Sequence, residues 1–166
     1  MRIVFFNIDA KTEKLAYVNT NDHISNLINS GIISKGSAYL EIIMDENNLS
    51  NEEKLMLNSP EKLIFDDYKT PSKVIFDMDI YIADKLSEIR EIKNLILKFL
   101  DGVQIRALAE SRIDINQQIN KDKQVLRDLT DDIYLNKIES PIKIIEYMPE
   151  CFKINYKLKY DMLFKG

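Results

Sequence analysis

Residues 77–100, DMDIYIADKLSEIREIKNLILKFL, divide the chain in two. Set at about 100° per residue, Ile82, Leu86, Ile89, Ile96 and Leu100 fall within about 40° of one line, which is helical spacing. Tyr81, Ile92 and Phe99 lie at about −80° to −100° from that line, and Leu95 near −140°, so the apolar arc spans about half the circumference. A single packing neighbour covers roughly 100°. The segment is therefore expected to form a long helix, capped by Asp77, that needs two neighbours or one neighbour and a separate protein.

Before this helix the pattern is that of short strands. Arg2 to Ile8 is a β-branched and aromatic run, and Lys14 to Asn19 a second one. The polar stretch from Asp9 to Glu13 between them predicts a hairpin. Asn21 or Asp22 is placed to cap a short helix through Ser30, with Gly31 just past its end. Ala38 to Met44 reads as a third strand, and Leu63–Phe65 and Val74–Phe76 as two more. Ser50 with Glu53 forms a capping box for a helix from Asn51 to about Leu57.

After it the chain is helical. Asp101-Gly102 reads as a break, followed by a short helical segment from Val103 to Glu110. A second long helix is expected from Ile113 to Leu129, with Ile115, Ile119, Leu126 and Leu129 on one narrow stripe that Asp122 interrupts. Ser140 and Pro141 open a short helix that closes before Pro149. From Ile154 the apolar residues Ile154, Tyr156, Leu158 and Tyr160 alternate with Asn155, Lys157, Lys159 and Asp161, a period of two that predicts a half-exposed strand. The expected class is α+β: a small, mostly antiparallel domain over 1–76, a helical hairpin or coiled-coil-like region over 77–148, and a C-terminal extension with one strand over 149–166.

Composition limits function. In 166 residues there are four Gly, four Pro, one Cys and one His, and the net charge is −4. No phosphate-binding loop or dinucleotide fingerprint is present, and no cofactor is expected. An acidic chain is a poor general ligand for nucleic acid, which is bound by a surplus of Lys and Arg. Cys151 has no partner for an intrachain disulfide. The apolar run at Ile3–Phe6 is too short for a signal peptide or a membrane span, so a soluble protein inside the cell is expected.

The chemistry-bearing residues are sparse. His23 reads as a surface histidine, and a Ser–His–Asp, Cys–His or His-based metal site has too few members to assemble. Acidic pairs at Asp45-Glu46, Glu52-Glu53, Asp66-Asp67 and Asp131-Asp132 lack the alternation and central Gly of a calcium loop. They read as helix starts and solvated turns, and no catalytic or metal-binding residue is assigned. Lys153, Lys157, Lys159 and Lys165 beside Tyr156, Tyr160 and Phe164 read as the guarded edge of a strand rather than as a nucleic-acid platform.

One stretch carries a family signal. Arg106-Ala107-Leu108-Ala109-Glu110 follows Asp101, then comes Lys123-Gln124-Val125-Leu126-Arg127-Asp128-Leu129-Thr130, then Ser140-Pro141 and Pro149. This resembles the C-terminal helical region of small phage and prophage tail-assembly, or tail-fibre-assembly, chaperones. The resemblance spans about 77–149. The chain departs from it in having no Trp and in continuing past the matched part from Lys153. The resemblance implies a non-enzymatic accessory protein of the host cytoplasm that binds a phage tail or tail-fibre polypeptide during assembly. The alternative is a structural tail component of the virion that oligomerises through its helical region. The residues expected to meet a partner are Ile92, Leu95 and Phe99 on the over-wide helix face, and Tyr156, Leu158 and Tyr160 on the final strand.

Overall fold

The computed structural model describes residues 1–9, 11–129 and 132–165. Ala10 in the first turn, Thr130 at the end of the family-like motif, Asp131 of an acidic pair, and Gly166 lie outside the described residues. The fold is α+β. The chain divides into two compact units, Met1–Ile80 and Tyr81–Gly166. Among the described residues no helix is long and apolar enough to cross a membrane.

The first unit is built on β1 (Arg2–Asn7), which lies between β2 (Leu15–Asn19) and β3 (Tyr39–Ile43), antiparallel to both. β1 is buried on both faces, and its side chains sort by parity. Ile3 and Phe5 join Leu15, Met44, Leu63 and Phe65 in one core, whereas Val4 and Phe6 join Leu27 and Ile33 in another. A separate antiparallel pair, β4 (Leu63–Phe65) and β5 (Val74–Phe76), contributes to the first of these cores. Two short helices complete the unit. In α1 (Ile24–Asn29), Gly31 takes φ 78° and closes the end, with Ile32 N–H donating to the Leu27 carbonyl at 2.9 Å. In α2 (Asn51–Asn58), the Ser50–Glu53 capping box forms as the spacing predicts.

The second unit is helical: α3 (Met78–Ala109), α4 (Ile113–Arg127), α5 (Asp132–Leu135), α6 (Pro141–Glu146) and α7 (Tyr156–Lys165). Its core gathers Leu100 and Ala107 of α3, Ile115, Ile119 and Leu126 of α4, and Cys151, Tyr156 and Tyr160 of the C-terminal segment.

Two expectations are corrected here. Asp101-Gly102 does not break the helix, which runs through it. Gly in a helix interior costs only about 1 kcal/mol against Ala, whereas burying a side chain such as the neighbouring Leu100 contributes roughly 1.5–3 kcal/mol. Asp101 also has a partner across the hairpin, since Lys123 Nζ donates to its Oδ1. The helix ends instead at Ser111, which takes φ 54°. There Arg112 N–H donates to the Ala107 carbonyl at 2.8 Å and Ser111 N–H to the Leu108 carbonyl at 3.1 Å, the same closure that Gly31 makes on α1.

The second correction is the C-terminal strand, which is the helix α7. The alternation from Ile154 to Tyr160 overlaps a helical pattern, Tyr156, Tyr160 and Phe164 at i, i+4 and i+8. Asn155 decides between them. Its side-chain oxygen accepts from Leu158 N–H at 3.0 Å, an N-cap bond of the kind that contributes ~1 kcal/mol to a helix start.

Glycine thus stands inside α3 and serine at the left-handed position that ends it. A Cβ at Gly102 would meet no atom within 4 Å. Gly102→Ala is expected to stabilise by about 0.5–1 kcal/mol, and Ser111→Gly by a similar amount. Urea unfolding checks both, and a lowered midpoint for either would contradict the reading.

Candidate functional site

Of the apolar arc on α3, only part is covered within the second unit. Ile96, Leu97, Leu100, Val103 and Ala107 pack against the core formed with α4 and α7. Leu95 is 69% exposed and Phe99 38%. The arc is wider than its neighbours cover, as its half-circumference implied.

These two side chains overhang a groove. Ile92, Leu95, Ile96 and Phe99 form one wall of a depression of about 380 Å³, and Phe152, Ile154 and Tyr156 line it from the C-terminal segment. A second depression adjoins it, sharing Phe99 and Lys157, and continues past Val103 to Arg106 and Phe164. Of the six residues expected to meet a partner, four therefore line one concavity: Ile92, Leu95, Phe99 and Tyr156. The other two do not join them there: Leu158, two residues from Tyr156, lies on another side of α7, and Tyr160, one turn on along the same face, reaches the second depression instead. Leu158 is 56% exposed and does not line that depression, while Tyr160 is 1% exposed and belongs to the core.

A polar network positions the groove. Asp122, which interrupts the apolar stripe of α4, is nearly buried. Its Oδ2 accepts from Tyr160 Oη at 2.7 Å and Lys159 Nζ at 2.6 Å, and its Oδ1 accepts from Gln118 Nε2 at 3.0 Å. Two further contacts hold α7. The Arg106 guanidinium stands 4.0 Å from the centre of the Phe164 ring, and Arg112 donates to the Leu163 carbonyl at 3.1 Å. The α3–α4 seam is polar as well. The buried Lys123 donates to Asp101 Oδ1 and to Gln104 Oε1, and Gln104 Nε2 donates to Asn116 and Asn120. In the family-like motif, then, Lys123 and Leu126 hold the helices together, and Gln124 bonds to Asp128 one turn on.

The remaining candidates have structural work. Asp66 accepts from Ser72 N–H and Oγ–H and from Lys73 N–H, which holds its carboxyl well below the usual carboxylate range, the Ser72 hydroxyl foremost. Asp67 accepts from Lys69 N–H at 2.8 Å and Thr70 N–H at 3.2 Å. Both carboxylates build the β4–β5 turn. His23 is exposed at the start of α1, and Cys151 is buried. Among the described residues no group of three or more His, Cys, Asp or Glu is placed to hold a metal ion.

Burial raises the phenol of Tyr156 to about 12, with the Asp122 charge adding to it. Burial and the bond to Asp122 push Tyr160 upward as well. A phenol that holds its proton more tightly when folded contributes stability that is whole below its unfolded pKa of 10.0 and is lost as pH rises toward 12. Stability should therefore be flat with respect to these two groups up to pH 10 and fall above it. Tyrosinate absorbance of Tyr156 and Tyr160 should appear only as the second unit unfolds; its appearance in the folded protein near pH 10 would contradict the packing described.

Comparison with protein-family models, with curated proteins and with solved structures gives no match.

Proposed function

We propose that this chain is a non-enzymatic accessory protein that binds another polypeptide in the groove between α3 and the C-terminal segment. We take that polypeptide to be a phage or prophage tail or tail-fibre protein, bound during assembly. The observation that carries the binding reading is the exposure of Leu95 and Phe99 over a concavity with aliphatic and aromatic walls. Large apolar side chains gathered at a concave surface are the usual anchors of protein interfaces. The resemblance of the Lys123–Thr130 sequence supplies the class of partner. Of those residues, Lys123 and Leu126 help build the module on which the groove rests.

A carboxylate enzyme is disfavoured by the use of Asp66 and Asp67, whose oxygens accept backbone N–H groups of their own turn. The structural-component alternative draws on a different patch: Ile105, Leu108 and Ile113 are exposed on either side of the α3–α4 turn. Mass spectrometry of purified particles separates the two readings, since a tail component stays at fixed stoichiometry and a chaperone is left behind.

Co-expression with a tail or tail-fibre polypeptide of the same genome should give a complex on size exclusion and more soluble fibre. Leu95→Asp or Phe99→Asp should weaken that complex by about 2 kcal/mol, roughly thirtyfold in Kd, with the far-ultraviolet dichroism unchanged. No complex, or one indifferent to both substitutions, would contradict the proposal.

A further inference from the structure

We propose that the segment seated in this groove is amphipathic and acidic, with large apolar side chains toward Leu95 and Phe99 and carboxylates beside them. The inference rests on the docking reading above and adds the chemistry of the occupant.

It is argued from charge. The chain is acidic overall, with net charge −4, yet the groove is edged by cations. Lys157 lines both depressions, and Lys98 and Arg106 line the second. Arg106 is engaged by Glu110 at 2.8 Å and by the Phe164 ring. Lys98 and Lys157 have no side-chain hydrogen bond or ion pair among the described residues. One carboxylate, Asp161, lines the second depression. On the arc of α3 that carries Leu95, Glu88 and Glu91 stand one to two turns earlier, outside the lining, and Glu88 is paired with Lys85. The field along the groove thus runs from acidic to basic, and the carboxylates of the occupant belong at the Lys98–Lys157 end. Exposed ion pairs are weak, so the apolar walls supply the affinity while the lysines choose among apolar segments and fix their direction.

Single-stranded nucleic acid would also answer to lysines beside aromatics. It is disfavoured because Tyr156 and Tyr160 are only 6% and 1% exposed, and because Ile92, Leu95, Ile96 and Ile154 make much of the wall aliphatic.

The test uses the full chain and three labelled probes read by fluorescence anisotropy. One is a synthetic helical peptide with a Leu face flanked by Glu, the second is the same peptide with Lys for Glu, and the third is oligothymidylate. The Glu peptide should bind about tenfold more tightly than the Lys peptide, less so as salt rises. Lys98→Glu with Lys157→Glu should abolish or invert that preference, and Leu95→Asp should weaken binding of the Glu peptide. Equal affinities that Leu95→Asp still weakens would overturn the acidic occupant and leave the docking groove standing. No binding of either peptide, or binding indifferent to Leu95→Asp, would overturn both. Tighter binding of the oligonucleotide would overturn the choice of a polypeptide.

Discussion

The second unit depends on one buried carboxylate. Asp122 lies on the inner face of α4 and gathers a lysine, a tyrosine and a glutamine, two of them from α7. A charge placed there without partners would be expelled, because desolvating an ion costs several kcal/mol. With them it becomes a position marker: α7 meets the hairpin in the one register where Lys159 and Tyr160 reach the same oxygen. Removing one partner of such a group typically costs 3–5 kcal/mol, more than an ordinary surface pair contributes. The groove follows from that register, since Tyr156 forms part of its wall while Tyr160, one turn on, is anchored beneath.

The same logic explains how an acidic protein keeps a polar interior. Lys123 is buried between α3 and α4 but shares its proton donors between Asp101 and Gln104, and Gln104 is in turn held by two asparagines. The helices are aligned by hydrogen bonds as well as by Leu100, Ile119 and Leu126. That leaves the outer arc of α3, with Leu95 and Phe99, free of any duty to the core of this unit.

Much of the fold was legible where local signals and burial agree. The β1–β2 hairpin, the Ser50 capping box, the Gly31 helix stop and the helix over Ile113–Arg127 all follow from short-range chemistry. The misreadings come from patterns that fit two structures. Period two at Ile154–Tyr160 and period four at Tyr156–Phe164 share residues, and the Asn155 cap was the signal that separates them. Asp101-Gly102 has the composition of a break, but Lys123, more than twenty residues away, keeps Asp101 in the helix. Asp122 looked like a flaw in a stripe because its partners on α7 are distant in sequence. The apolar half of the candidate site was readable from the width of one helix face; the wall that completes it depended on recognising α7.

The most direct measurement is native-state hydrogen exchange on Asp122→Ala beside the unaltered protein. If Asp122 fixes α7, the amides of Tyr160–Phe164 should lose protection by about a hundredfold, as expected for ~3 kcal/mol, while those of β1 keep theirs. Amides of α7 that exchange no faster in the variant would contradict the account, because the helix would then be held by something other than this carboxylate.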